Sequence, residues 1–121
     1  FLILSVNHNS LSKPKINKLL NVIDEDVHII FMYRHPSKYE FSDPAIFKNY
    51  KLIKNEGHKI IKNFKKNRKI YFFDNLNNLC IDCEINEYND FINDDNGHFK
   101  LKTSLYLKES FEKFINNINL N

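Results

Sequence analysis

The sequence predicts an α/β fold in which a mostly parallel β-sheet is covered by helices on both faces, a three-layer sandwich forming a single domain over residues 1–121. Short apolar runs of β-forming residues alternate with longer segments in which apolar residues recur every three or four positions. Such alternation is typical of strands joined by helical crossovers, which produce a parallel sheet. The length of 121 residues and the 42% hydrophobic content suit one buried core.

Three apolar runs are predicted as strands. They are FLILSV at residues 1–6, VHIIFMY at residues 27–33 and KIYFFDNL, which begins at Lys69. Each run is continuously apolar, as expected of strands that are buried on both faces. Because the first run has no polar lead-in before it, we expect the chain to be the C-terminal part of a longer domain whose first strands lie upstream.

Three amphipathic segments are predicted as helices. The first follows Ser12, a residue type that caps helix N-termini, and the longest runs from its cap at Asp43 to near Asn67. The third covers the end of the chain, where apolar residues recur at helical spacing from Leu107 onward. Between the second strand and the longest helix, RHPSKYEFSDP predicts a loop of at least ten residues.

Polar residues follow each predicted strand, at the edge of the sheet where ligands of parallel sheets bind. Asn7 follows the first strand, Arg34 and His35 follow the second, and a long polar region follows the third. We expect Arg34 and His35 to line the mouth of a substrate cleft. No Gly-rich phosphate loop accompanies them, which argues against a phosphate or sulfate clamp. A sulfotransferase-like or glycosyltransferase-like use of these two residues is a further hypothesis.

The segment NDDNGHF, residues 93–99, places Asp95 three positions before His98. At this spacing a carboxylate can hold one ring N–H of the imidazole while the other nitrogen faces a cleft, as in a hydrolytic base. The alternative interpretation is a loop rich in turn-forming residues. A calcium loop is excluded by its register, because Ile92 and Thr103 stand where an EF-hand requires Asp and Glu.

No metal or cofactor is expected. Cys80 and Cys83, in LCIDC, have no second cysteine pair with which to bind zinc. The segment that follows them looks extended, whereas a redox-active cysteine pair normally opens a helix. The pair is therefore predicted to be a disulfide or two free thiols.

Basic residues are concentrated in and just after the longest helix. Residues 48–69 contain nine Lys or Arg and one acid, Glu56. Such a stripe could follow a phosphate backbone, so a noncatalytic α/β module that binds an anionic partner through residues 48–69 is the alternative function. A solvated outer helix face explains the same pattern. The aromatic residues of this segment fall on the predicted buried stripe, which argues against nucleic acid because no stacking platform is left.

Together these features resemble the C-terminal part of an SGNH-type hydrolase domain, a flavodoxin-like α/β fold, in the form associated with membrane acyltransferases that modify cell-surface sugars. In SVNH, Asn7 matches the asparagine of the family's Gly-x-Asn block, with Ser5 in place of the glycine. In DNGHFK, Asp95 and His98 match the Asp-x-x-His block near the end of the family's domain, with FK in place of the usual Leu-Ser.

The resemblance implies ester hydrolysis or O-acyl transfer on a cell-surface glycan. An upstream serine would attack the acyl carbonyl, His98 would take and return its proton, Asp95 would orient His98, and Asn7 would donate to the oxyanion. The family's Gly-Asp-Ser block is absent from this sequence, so the chain alone is expected to be inactive. An acylated or acyl-accepting saccharide, a membrane acyltransferase domain as partner, and a location in the cell envelope outside the cytoplasmic membrane are also implied.

Overall fold

The computed structural model describes residues 1–6, 12–64, 68–79, 87, 90–92 and 98–120. Within these ranges it contains three strands and five helices. In chain order they are β1 (Leu2–Val6), α1 (Lys13–Leu20), β2 (Ile29–Tyr33), α2 (Lys38–Ser42), α3 (Pro44–Phe64), β3 (Ile70–Asp74), α4 (Asn75–Leu79) and α5 (Leu101–Leu120). The predicted α/β class is confirmed.

The elements form two compact units. The sheet unit comprises residues 1–34 and 48–74, and the helical unit comprises residues 35–47 and 75–121. The chain therefore leaves the sheet unit after β2, returns to it with the body of α3, and leaves it again after β3. The two units are interleaved along the sequence, and a division of the chain into one N-terminal and one C-terminal part does not describe them.

The three strands form one parallel sheet in the order β1-β2-β3. The register aligns Ile29 with Ile70 at the start of β2 and β3, and Tyr33 with Asp74 at their ends. All three apolar runs thus contain neighbouring parallel strands, but the third strand ends at Asp74, and Asn75 and Leu76 of the predicted run belong to α4. Because the strands run in the same direction, their carboxyl ends meet at one edge of the sheet, which we call the carboxyl edge.

The helix α3 covers one face of the sheet. The ring of Tyr50 lies 6.0 Å from that of Tyr33, and the ring of His58 lies 4.5 Å from that of Phe72. Tyr33 and Phe72 belong to the same face because alternate strand residues share a face and Phe72 pairs with Phe31. The crossovers through α1 and α3 step in the same direction across the sheet, so the right-handed rule places both helices on this face.

The opposite face of the sheet also carries apolar and aromatic residues. Ile30 and Phe73 are buried there, whereas Phe1 is 56% exposed. The ring of His28 stacks on that of Tyr71 at 5.6 Å, and the ring of Phe1 lies 5.0 Å from His28. Burial on both faces of β2 and β3 explains why these two strands are continuously apolar, whereas in β1 Ile3 is 49% exposed.

The segment between β2 and α3 differs from its predicted loop. It contains the short helix α2, which begins with a capping box: the Ser37 hydroxyl accepts a hydrogen bond from the Glu40 N–H at 3.2 Å. The Glu40 carboxylate accepts one in return from the Ser37 N–H at 2.8 Å. The sequence SKYE has the Ser-x-x-Glu pattern of such a box, and the nearby prolines do not prevent the helix because neither lies within it.

The long helices begin at identifiable residues. The predicted cap Asp43 is confirmed, since its carboxylate accepts hydrogen bonds from the N–H groups of Ala45 and Ile46 at 2.9 and 3.1 Å. α5 begins at Leu101, six positions before Leu107, the first residue from which it was predicted. α3 and α5 have 21 and 20 residues. Despite this length, no helix in the described residues is apolar enough to span a bilayer.

Arg68 anchors the end of α1 to the start of β3. Its guanidinium donates hydrogen bonds to the carbonyl oxygens of Leu20 at 2.9 Å, Ile23 at 2.9 Å and Asp24 at 3.0 Å. These carbonyls lie at and just beyond the last turn of α1, where helical carbonyls lack partners within the helix. Arg68 belongs to the basic stripe predicted for residues 48–69, and its charge is used inside the fold.

Replacing Arg68 by lysine is expected to lower the free energy of unfolding by about 2 kcal/mol, because one ammonium cannot reproduce a planar fork that reaches three carbonyls. Urea denaturation followed by circular dichroism measures the loss. Lys69→Ala is the matched control, since Lys69 is exposed and its Nζ lies 3.7 Å from the Asp26 Oδ1. This variant is expected to lower the free energy of unfolding by at most about 1 kcal/mol. Equal losses in the two variants would contradict the anchoring role.

Candidate functional site at the carboxyl edge of the sheet

Charged residues meet at the carboxyl edge of the sheet unit. Arg34 directly follows β2, and Asp74 is the last residue of β3. α3 brings Tyr50 and Lys54 to the same edge, one helical turn apart. In open parallel sheets this edge is where ligands bind, so these four residues define the candidate site in the sheet unit.

Lys54 and Asp74 form a buried ion pair. The Lys54 Nζ lies 2.6 Å from the Asp74 Oδ2, and the two side chains are only 8% and 12% exposed. Removing two charges from water is costly, and at this depth each charge is tolerated because the other stands opposite it. The pair therefore connects α3 to the end of β3 and sets the position of one relative to the other.

Tyr50 connects the same helix to the end of β2. Its ring is buried, and its hydroxyl donates a hydrogen bond of 2.6 Å to the carbonyl oxygen of Arg34. The ring centre lies 5.7 Å from the Arg34 guanidinium carbon and 5.9 Å from the Lys54 Nζ. Both cations are within the range of favourable cation–π contact. One aromatic ring thus holds the backbone and the charge of Arg34 in place.

The chemistry of this edge follows from its burial. The Lys54 ammonium is held against the Asp74 carboxylate, so the pair carries no net charge and its role is structural. Arg34 is half-buried, and its guanidinium is the planar donor type that binds carboxylates and phosphates bidentately. The prediction that Arg34 stands beside a ligand-binding edge is consistent with this position, and its role in binding stays a prediction.

Sequence reasoning missed the Lys54–Asp74 pair and its neighbour Tyr50. Tyr50 was assigned to the apolar stripe and Lys54 to the basic one. A signal was present: Tyr50, Lys54, Gly57 and Ile61 follow one another at spacings of four, three and four, and all four are buried. A lysine inside such a stripe indicates a buried charge, and Asp74 ends an apolar strand where a partner is available.

His35 lies in the helical unit, where it packs against Phe99. The two ring centres are 3.8 Å apart, and both residues are half-buried. Phe99 immediately follows His98, so this contact places His35 within one residue of the predicted general base. The prediction that His35 lines the mouth of a substrate cleft stays a prediction.

His98 is exposed and stands three residues before α5. On its C-terminal side, Phe99 forms an antiparallel bridge with Ile92, and the Lys100 N–H donates a hydrogen bond of 3.0 Å to the Phe91 carbonyl. The residues that flank the segment 93–98 are therefore paired with each other. This segment contains both members of the predicted Asp-His pair.

Several predicted site residues lie outside the described residues. They are Asn7, Asp95 and the two cysteines, Cys80 and Cys83. The hydrogen bond between Asp95 and His98, the oxyanion role of Asn7 and the state of the cysteines therefore stay predictions.

The basic stripe of residues 48–69 is partly used within the sheet unit. Lys54 is buried against Asp74, Arg68 binds three carbonyls, and Lys59 forms an exposed ion pair of 2.8 Å with Glu56. Lys65 and Lys66 lie outside the described residues. The stripe is thus not a uniform solvent-facing row of cations.

No group of three or more His, Cys, Asp or Glu side chains that could hold a metal ion occurs in the ranges described above. Comparison with protein-family models, with curated proteins and with solved structures finds no match to this chain.

Tyr50→Phe is expected to lower the free energy of unfolding by about 1 kcal/mol, because the Arg34 carbonyl loses its donor while the ring packing is kept. Tyr39→Phe is the matched control, since Tyr39 is 68% exposed, and it is expected to change stability by less than about 0.5 kcal/mol. Urea denaturation of both variants measures the difference. An unchanged free energy of unfolding in Tyr50→Phe would show that the hydrogen bond from Tyr50 to the Arg34 carbonyl does not stabilise the carboxyl edge.

Proposed function

We propose that this chain is part of an SGNH-like domain that hydrolyses or transfers O-acyl groups on a cell-surface saccharide. His98 is the general base, Asp95 orients it, Asn7 donates to the oxyanion, and a serine outside these 121 residues is the nucleophile. The observation that carries the proposal is the bridge between Ile92 and Phe99, which joins the ends of the segment that contains Asp95 and His98.

Ile92 and Phe99, which flank residues 93–98, form an antiparallel bridge. The spacing of Asp95 and His98 supports the proposal, because residues three apart are separated by no more than about 11 Å even in a fully extended chain. The proposal assigns one nitrogen of His98 to the Asp95 carboxylate and the other to the substrate, and His98 is exposed.

In the helical unit, the ring of His35 lies 3.8 Å from that of Phe99, the residue that follows His98. The proposal assigns His35, together with Arg34, to the mouth of the saccharide-binding cleft. Phe99 stands where the family has leucine, and its packing on His35 gives this replacement a structural role.

The proposed oxyanion donor, Asn7, directly follows β1 of the sheet unit. Val6 is the last residue of β1 and pairs with Tyr33, so the chain leaves β1 at the carboxyl edge. The proposal places the Asn7 side chain at this edge. It also includes a complete three-layer sandwich, in which further strands from upstream extend the sheet beyond β1.

In the proposed reaction, the serine Oγ forms a bond to the acyl carbonyl carbon while His98 takes the serine proton. The tetrahedral intermediate places its negative charge on the oxygen facing Asn7. Collapse breaks the ester bond, and His98 returns the proton to the departing alcohol. Water or a sugar hydroxyl then attacks the acyl carbon while His98 accepts its proton. The bond between the acyl carbon and the serine Oγ breaks, and His98 returns the proton to that oxygen. The product is a free acid or a newly acylated sugar.

The proposal includes a place for this domain in the cell envelope, beside a membrane acyltransferase domain that supplies or receives the acyl group. It includes no cofactor. The alternative is a noncatalytic module that binds an anionic partner through residues 48–69. The internal contacts of Lys54, Lys59 and Arg68 count against it, because they reduce the number of cations available to such a partner.

His98→Ala in a protein that contains this chain and the serine-bearing segment is expected to lower the turnover of an acetyl ester by about 10³-fold or more, since the serine loses its base. Lys62→Glu is the matched control, because Lys62 is exposed on α3, and it is expected to leave turnover unchanged. The measurement is the rate of acetate release from an acetylated saccharide.

The two functions give opposite patterns. Under the proposed function, His98→Ala abolishes turnover and does not alter retention on an anionic column. Under the alternative, Lys62→Glu weakens that retention, and no ester is cleaved by the unmodified protein. A fully active His98→Ala variant would overturn the catalytic proposal.

A further inference from the structure

The helical unit contains a cavity beside the first turns of α5. Its volume is about 400 Å³, within the range of pockets that bind small molecules. Leu79 at the end of α4, Phe91 and Tyr106 supply its apolar walls. Such walls favour a ligand with an apolar body, because each buried methylene gains free energy on leaving water.

Charged residues line the same cavity. Lys100 and Lys102 are both exposed, and neither forms an ion pair in the part of the chain that the structure describes. Asp90 is the one acid among the described lining residues. Among these described lining residues, two ammonium groups and one carboxylate give a net positive charge, which complements an anionic group.

Thr103 completes the described lining with a side chain of intermediate polarity. The residue is 5% exposed, whereas Lys100 and Lys102 are exposed. Its side chain is shorter than that of leucine and therefore occupies little space. The described lining thus combines apolar side chains with two exposed cations.

We propose that this cavity binds a small carboxylate with an apolar body, of the size of a medium-chain fatty acid. The chain lies against Leu79, Phe91 and Tyr106, and the carboxylate faces Lys100 and Lys102. This inference goes beyond the proposed function, because binding requires neither His98 nor a nucleophile. A neutral molecule of the same length would occupy the same walls without engaging the lysines.

The test is an NMR titration of the ¹⁵N-labelled chain with octanoate, below the concentration at which it forms micelles, and with octan-1-ol. Octanoate is expected to saturate with a Kd on the order of 1 mM or lower, as its size allows. Octanol is expected to bind about three- to tenfold more weakly, because it lacks the carboxylate that pairs with the exposed ammonium groups of Lys100 and Lys102. The shifts should concentrate at residues 100–106.

Variants separate the walls from the charges. The double variant Lys100→Gln/Lys102→Gln is expected to bind octanoate and octanol with equal affinity. The control Lys108→Gln/Lys113→Gln changes two lysines of α5 that are not among the described lining residues, and it is expected to keep the difference in affinity. Thr103→Phe is expected to abolish saturable binding by filling the cavity, and exposed Ser104→Phe is its control. If Thr103→Phe does not fold, Leu79→Trp fills the same cavity from the end of α4 and is likewise expected to abolish saturable binding.

Three results would overturn the inference. They are the absence of saturable octanoate binding, equal affinity for octanoate and octanol in the unmodified chain, and unchanged binding in a folded cavity-filling variant. Because the readout is binding, a failure of the acyl-transfer proposal leaves the expected result in place, and failure here leaves the role of His98 untouched.

Discussion

The carboxyl edge of the sheet unit depends on the buried ion pair between Lys54 and Asp74. An ammonium and a carboxylate that are both shielded from water are tolerated only opposite each other, at the observed 2.6 Å. Sliding α3 along the sheet by one turn would bury each charge without its partner. The pair therefore selects one register between α3 and β3, a choice that apolar packing alone leaves open because one apolar stripe can slide along another.

This register has consequences for the neighbouring strand. Tyr50 lies one turn before Lys54, so fixing Lys54 also brings the Tyr50 hydroxyl to the Arg34 carbonyl. The end of β2 is then tied to the same helix that holds the end of β3. Polar contacts therefore fix the backbone where it leaves the sheet at the end of β2 and at the end of β3. Positions fixed in this way are suited to presenting side chains to a ligand, since little freedom remains to be lost on binding.

The sequence was sufficient for the elements whose apolar pattern is long or continuous. The three strands and α3 were predicted because burial of both sheet faces and of one helix stripe leaves a clear pattern. Two short helices were not. α2 was hidden by nearby prolines although its capping box was readable, and α4 follows β3 without an intervening turn residue. Element type in such short segments is decided by tertiary packing, which a local pattern does not report.

The candidate site was harder to predict than the fold. From the sequence, Lys54 and Arg68 were assigned to a basic stripe that faces solvent. In the structure, Lys54 is buried against Asp74, and Arg68 donates hydrogen bonds to carbonyl oxygens at the end of α1. Their partners are 20 and more than 40 positions away in the sequence. Contacts across such distances follow from the fold, and a charge pattern along one helix cannot reveal them. The Asp95–His98 pair was proposed from local spacing, which is the type of signal a sequence does contain.

The most direct test of the account is a double-mutant cycle on the buried pair, with Lys54→Met, Asp74→Leu and the double variant measured by urea denaturation. Each single variant leaves one buried charge unpaired and is predicted to lose about 3–5 kcal/mol of unfolding free energy. The double variant removes both charges and is predicted to lose less than the sum of the two single losses by several kcal/mol. Losses that add would contradict the claim that this pair sets the register of the carboxyl edge.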